Sequence, residues 1–355
     1  MTSDVNKIHS DMLENISNDY QKTQGFPTYD LTRAFAITCL ALYVKAQDIE
    51  NKLDVNNLSG NDLTRFIEQR RNVKRKAATF AIGFVRIVEG SGFVNTGDLF
   101  ESDGGVQFES VESKAVNSSD TVMVKCVVAG NIGNVGANTI VNMPITLQGI
   151  ATITNDDPTK DGYDAESDDD FRERYLESLR EPIVSGNIYH YKAWTKEVEG
   201  VGDAKIFPLW AGDNTVKVVV IDSNRVVPSD EIIKNVQNHI DPGITGRGEG
   251  AAPTGAYCTV QAAEPLVINV ITAVTLKSGY DLPTVTVEIT ETVTEYLKTI
   301  AFKQDYVSYA MIADAVLSAQ GVIDYTDVLL NGGKDRVAID GEQVAVLGQV
   351  VVSES

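Results

Sequence analysis

Residues 161–180 read DGYDAESDDDFRERYLESLR, and seven carboxylates fall in the first thirteen of these positions. Three chemistries would use such a run: a cation site, a pair of acids that cut a bond, or the first turn of a helix. A calcium loop needs oxygen ligands at alternate positions, a glycine at its bend and a closing glutamate. Asp164, Glu166, Asp168 and Asp170 do alternate, but no glycine stands at the bend and Phe171 follows at once. A helix start accounts for more of the residues. Ser167 is a good N-cap with Asp170 as its capping-box partner, and Asp168 and Asp169 sit where the positive end of the helix dipole favours anions. Phe171, Tyr175 and Leu179 then recur at four-residue spacing, Arg172, Arg174 and Arg180 lie further down, and Pro182 is placed to stop the helix. Nothing else in the chain marks a sugar cleft for paired carboxylates to serve.

Before this stretch the chain changes period twice. From Leu31 to Leu53 the side chains Phe35, Cys39, Leu42, Ala46, Ile49 and Leu53 alternate in steps of four and three. That is a heptad seam, and it suits equally a partner helix or an ordinary core-facing helix. A second helix from Ser59 carries Leu63, Phe66 and Ile67 on one face and runs into Arg70, Arg71, Lys74, Arg75 and Lys76. The basic cluster reads either as a solvated helix end or as a docking patch for acidic protein. Around Thr79 the pattern turns β-branched and aromatic: TFAIGFVRIV, GVQFESV, TVMVKCVVA and NTIVNMPITL predict short antiparallel strands. The glycines of GNIGNVGANTI lie between strands and fit tight turns.

After the acidic stretch, helices and strands alternate. NIYHYKAWTKEVEG and SDEIIKNVQNHI are predicted helices, VGDAKIFPLW and TVKVVVID strands, and PLVINVITAVTLKSG one long strand. Helices over 284–301 and 308–320 lead into GVIDYTDVLL, RVAID and QVAVLGQVVV. Both halves run helix, helix, Gly-Val-x-Asp, strand, turn, strand, which reads as a weak internal duplication of one α/β unit. Asp340-Gly341 is placed for a tight hairpin turn. The expected fold is therefore α+β and multidomain: an N-terminal helical region over 1–77, an antiparallel β domain over 78–160, and α/β modules over 161–260 and 261–355.

Composition narrows the function classes. With 30 basic and 50 acidic side chains the formal charge is -20, which disfavours free nucleic acid or an anionic membrane as partner. The apolar run AFAITCLALYV at 34–44 falls short of the roughly 18 residues a membrane span needs. MTSDVNKIHSDMLENIS is acidic and lacks an apolar core, so no secretory signal is expected. Cys39, Cys126 and Cys258 show no metal-ligand spacing, and His9, His190 and His239 form no HExxH. GITGRGEGA at 243–251 formally contains G-x-G-x-x-A, but a helix precedes it and Ala-Ala-Pro follows, so an inter-domain loop is the better reading. Tyr189, Tyr191 and Trp194 share a helix with Ile188 and Val198 and read as packing. No Walker loop or G-x-S-x-G elbow occurs. The expectation is a structural protein with no cofactor.

The order AGNIGNVGANTI, YDAESDDDFRERYLESL, then NIYHYKAWTKEVEGVGDAKIFPLWAGDNTVKVVVID resembles the baseplate J-like family of contractile phage tails and phage-tail-like particles. VKRKAAT opening the β segment and the closing QVAVLGQVVV resemble it too, so the likeness runs from about residue 60 to the C-terminus. The resemblance implies a wedge subunit of a sixfold baseplate. Its partners would be a sheath-initiating wedge protein, a tail protein I-like subunit, neighbouring copies and the tail hub or tube. It implies that the N-terminal helices join a bundle and that the C-terminal region links wedges into a ring. Assembly would take place in the host cytoplasm. The competing expectations are a calcium-dependent extracellular adhesin, built on the β segment and the acidic run, and a carbohydrate-cleaving tail enzyme.

Overall fold

The computed structural model describes residues 4–71, 73–180 and 184–355. Its chain divides into two compact units: residues 1–75 with 166–177, and residues 76–165 with 178–355. The acidic stretch is where the chain returns to the first unit after a long excursion.

The first unit is helical. Helix α1 (Val5–Glu14) packs on the start of α2 (Pro27–Asn51), which opens with proline at its first position, where no backbone donor is lost. The His9 ring stands edge-on to Tyr29, its Nε2 lies 3.0 Å from Thr32 Oγ1, and Ala36 is buried. A 3₁₀ turn (Val55–Asn57) leads to α3 (Gly60–Arg71), and α4 (Asp168–Arg180) supplies the remaining packing face. Val55, Leu58, Leu63, Ile67, Phe171 and Tyr175 form this unit's buried core, with Phe66, Val73 and Leu176 at its margin. Phe171 and Tyr175 pack inward as their spacing predicted, but Leu179 is 46% exposed. Pro182, expected to stop α4, lies outside the described residues.

The second unit begins with an antiparallel sheet of seven strands: β1 (Ile82–Val94), β2 (Leu99–Ser102), β3 (Gln107–Ser110), β4 (Lys114–Asn117), β5 (Thr121–Cys126), β6 (Ile140–Asn142) and β7 (Ile150–Thr154). The order is β4-β1-β5-β3-β2-β6, with β7 also on β1. Strand β1 changes partners along its length: β5 over Ile82–Arg86, β7 over Arg86–Gly90, β4 over Ser91–Val94. This curls the sheet into a half-barrel around Val85, Ile87, Phe100, Phe108, Val122, Val124, Ile140 and Ile153. Tight turns alone do not explain GNIGNVGANTI. A Cβ on Gly133 would lie 2.7 Å from Ala81 Cβ and 2.8 Å from Cys126 Cβ, so that glycine serves close approach.

A smaller module follows: α5 (Ile188–Glu197), β8 (Val201–Pro208), β9 (Thr215–Asp222), α6 (Asp230–Ile240) and β10 (Tyr257–Ala262). Ser229 caps α6, accepting the Ile232 N–H at 3.4 Å. Strand β9 is central, antiparallel to β8 and parallel to β10. The loop 243–251 corrects the sequence reading, because it lies inside this module between α6 and β10 and is tied down. The buried Asp241 carboxylate accepts from the backbone N–H groups of Thr245 (3.2 Å), Gly246 (3.2 Å) and Cys258 (3.0 Å). Ala251 and Ala252 donate back to the carbonyls of His239 and Ile240.

The last module holds β11 (Glu264–Leu276), α7 (Leu282–Ile300), β12 (Tyr306–Val307), α8 (Tyr309–Ser318), β13 (Val322–Leu330), β14 (Val337–Ala338) and β15 (Gln343–Glu354). Strand β11 is central, antiparallel to β13 and parallel to β15. Asp340-Gly341 makes a turn, Gln343 N–H to Asp340 O at 3.1 Å, but not a hairpin: β14 pairs with β12 and β15 with β11. The two modules share a sheet plan but not a strand order. Each module sets a central strand between one antiparallel and one parallel neighbour, but that strand is second in chain order in one and first in the other. No helix among the described residues is long and apolar enough to cross a membrane.

Candidate functional site

The acidic stretch resolves residue by residue into bonds. Asp164 accepts the Asn131 backbone N–H at 2.9 Å. Glu166 takes a two-pronged pair with Arg174, at 2.7 and 2.6 Å. Ser167 accepts the Asp170 N–H at 3.1 Å and its hydroxyl donates to the Asp170 carboxylate at 2.8 Å, closing the cap of α4. Asp169 pairs with Arg172, whose guanidinium also donates to the carbonyls of Val55 and Leu58. Asp168 does most to join helices: it accepts the Gly60 N–H at the start of α3 (2.8 Å) and pairs with Arg75 (2.6 Å). That N–H first, and then Arg75, hold its carboxyl below the usual carboxylate range.

These partners decide between the readings. The four alternating side chains a calcium loop would need are spent on caps, arginines and backbone N–H groups. Among the described residues no group of three or more His, Cys, Asp or Glu side chains converges as metal ligands would.

The heptad residues are placed differently. Phe35, Cys39, Leu42, Ala46 and Ile49 lie along α2, and Leu53 stands just beyond its end. Phe35 is 65% exposed, Leu42 and Ile49 63%, Leu53 67%; Ala46 is exposed and Cys39 half-buried. Among the described residues the stripe faces no core. The sequence reading missed a second stripe, Ile37, Leu40 and Val44, which stands roughly opposite at about 100° per residue; Ile37 and Val44 are exposed and Leu40 half-buried. The signal was present: residues 34–44 contain no charge at all. A helix apolar on both sides is one that expects burial on both, and α1 covers only its beginning.

The five basic residues separate into two groups. Arg75 is drawn into the first unit: its guanidinium donates to Thr64 Oγ1 (3.0 Å), to the Glu166 carbonyl (2.8 Å) and to Asp168. Lys76 Nζ donates to the carbonyls of Val201 (2.7 Å) and Val198 (3.4 Å). Arg70 lies over the Phe66 ring with its charge exposed, and Arg71 and Lys74 are exposed as well. Of the five, Arg70, Arg71 and Lys74 are exposed, while the Arg75 and Lys76 side chains bond within the chain.

Carboxylates spent on architecture, an open apolar helix and a run of β and α/β modules together define a structural assembly subunit. Residues 82–162 match the Baseplate J-like protein barrel domain, 184–262 the Baseplate J-like central domain, and 268–353 the Baseplate J-like protein C-terminal domain. The chain belongs to the baseplate J-like family. It is similar to the Phage-like element PBSX protein XkdT of Bacillus subtilis (strain 168), 30% identical over 345 residues, 97% of this chain and 95% of the relative. It is similar also to Baseplate protein gp47 of Escherichia phage Mu, 26% identical over 260 residues, 70% of this chain and 69% of that protein. Among solved structures, the baseplate of the anti-feeding prophage aligns over 96% of this chain and 89% of that chain at 10% identity with a TM-score of 0.38, too loose a likeness to reason from. The protein is a structural baseplate component of a phage tail or phage-like particle, part of a multi-subunit assembly.

Proposed function

We propose that this chain is a wedge subunit whose helix α2 is its docking element. The uncovered apolar surface on two sides of α2 carries the proposal. The heptad stripe Phe35–Leu53 takes a helix of one partner and the Ile37–Val44 stripe a second. By family resemblance the occupants are a sheath-initiating wedge protein and a tail protein I-like subunit, and the C-terminal module joins neighbouring copies into a sixfold ring around the hub. Burying a large apolar side chain contributes roughly 1.5–3 kcal/mol. Phe35, Leu42, Ile49 and Leu53 together therefore offer on the order of 10 kcal/mol before the costs of association. Arg70, Arg71 and Lys74, exposed at and just beyond the end of α3, suit acidic stretches of a neighbouring subunit.

The test is Leu42→Asp with Ile49→Asp, co-expressed with the neighbouring tail genes. Both positions are exposed, so the double variant should fold and melt as the parent does. It should lose co-purification with its partners. Undiminished co-purification would overturn the role of α2.

A further inference from the structure

A second surface lies apart from helix α2: the free edge of the C-terminal sheet. The strand order there is β13-β11-β15, so β13 and β15 are both edges, yet only one is finished. On the β13 side Val328 and Leu330 are buried, and the Tyr309 phenol donates to the Val328 carbonyl at 3.2 Å. On the β15 side the same inner layer lies open. Val350 and Val352 are half-buried, although their β11 neighbours Val270 and Thr272 are shut away at 0% and 2% exposure. On the outer face Val351 is 40% exposed beside Ile271 at 44%. The backbone repeats the contrast. The Ser355 N–H donates to the Val274 carbonyl at 3.0 Å. Backbone groups alternate sides along a strand, so those of Val351 and Ser353 also face β11, and those of Val350, Val352 and Glu354 face away. Among the described residues no strand pairs with them there.

An open edge is a template for another chain, and proteins ordinarily blunt it with charge or proline. Residues 343–353, QVAVLGQVVVS, contain neither. We propose that β15 pairs antiparallel with β15 of a second copy, across a twofold axis at Val351. Val350 and Val352 of one copy then exchange backbone hydrogen bonds with Val352 and Val350 of the other, and their side chains close each other's open flank on the inner face. The two Val351 side chains meet on the outer face, and Glu354 falls opposite Gly348.

Charge makes a second copy the occupant. Two chains of formal charge -20 repel wherever their carboxylates meet, and this edge brings none together. A foreign partner would be selected by charged marks, and the edge carries none. A strand that suits its own twin is also what a twofold contact requires. The inference rests on the reading of the C-terminal module as the contact between neighbouring copies, and it names the strand that makes it.

The experiment is sedimentation velocity of the full chain alone, carrying Leu42→Asp and Ile49→Asp to silence α2. This parent should form pairs as concentration rises. Val352→Pro removes an outward N–H and leaves the bonds to β11 intact, at an edge position proline tolerates. It should raise the concentration needed for pairing by at least about tenfold. Val351→Lys sets like charges face to face across the axis and should do the same, which keeps the test open if the proline variant misfolds. Register is read by cross-linking, with Cys39→Ser added. Val351→Cys should form a disulfide between copies under diamide, because a non-hydrogen-bonded antiparallel pair sets its Cα atoms about 4.5 Å apart. Gln349→Cys, roughly 14 Å from its twin, should not. A parent that stays monomeric, pairing untouched by both Val352→Pro and Val351→Lys, or no cross-link at 351 overturns the edge contact. The wedge reading is scored separately: with Leu42 and Ile49 restored, Val352→Pro should still co-purify with the neighbouring tail proteins.

Discussion

Replacing Phe171 with alanine tests the account of the first unit most directly. Phe171 is fully buried among Val55, Leu58, Leu63, Ile67 and Tyr175, and the guanidinium carbons of Arg75 and Arg174 lie 4.8 and 5.2 Å from its ring centre. Truncating a buried phenylalanine costs about 3–5 kcal/mol, and the core here is too small to close over the gap. At 1.36 kcal/mol per factor of ten, the middle of that range is roughly a thousandfold in the opening equilibrium. Amide exchange across α3 should therefore speed up by about that factor, while amides of β9 and β11 keep their rates. Leu179 is the matched control, on the same helix at the same spacing but 46% exposed, so Leu179→Ala should move stability by less than about 0.5 kcal/mol. Equal effects at the two positions, or unchanged exchange in α3 after Phe171→Ala, would refute the assignment of this core.

Asp168 carries a carboxyl held low by Gly60 and Arg75. Its contribution is present above the ordinary aspartate range and is lost as pH falls through the lowered value. Acid titration of α3 protection should accordingly show a limb in wild type that Asp168→Asn lacks. Asp241→Ala leaves the buried N–H groups of Gly246 and Cys258 without their acceptor and should cost about 2–4 kcal/mol in urea unfolding of the central module. Gly133→Ala forces a methyl to 2.7 Å from Ala81 and should destabilise the half-barrel by about 1–3 kcal/mol, read as a lower melting temperature.

Local chemistry was legible in the sequence wherever its cause is local. Ser167 announced its helix because a cap needs only the next three residues, and the strands of the half-barrel followed their β-branched runs. What stayed hidden depends on distant partners. The heptad pattern on α2 is the same whether the helix faces a core or a neighbour, so periodicity could not choose. Arg75 looked like one of five surface cations because Asp168 is 93 residues away. Asp340-Gly341 looked like a hairpin because nothing nearby reveals that β15 joins β11 in parallel. The loop at 243–251 looked free because glycine content says nothing of an aspartate that gathers its backbone. Leu179 shared the spacing of Phe171 and Tyr175 without sharing their burial, since periodicity marks a face but not how far its cover extends.

The first unit is written in two separated pieces of gene: residues 1–75 and, ninety residues later, 166–177. A ribosome that has delivered α3 has not yet delivered Phe171 or Tyr175, so Leu63 and Ile67 emerge with their intended cover still untranslated. The whole half-barrel is made in that interval. A fragment cut at residue 77 would stay in that unfinished condition for good, and attempts to capture binding partners with it would report the stickiness of an incomplete core rather than the selectivity of α2.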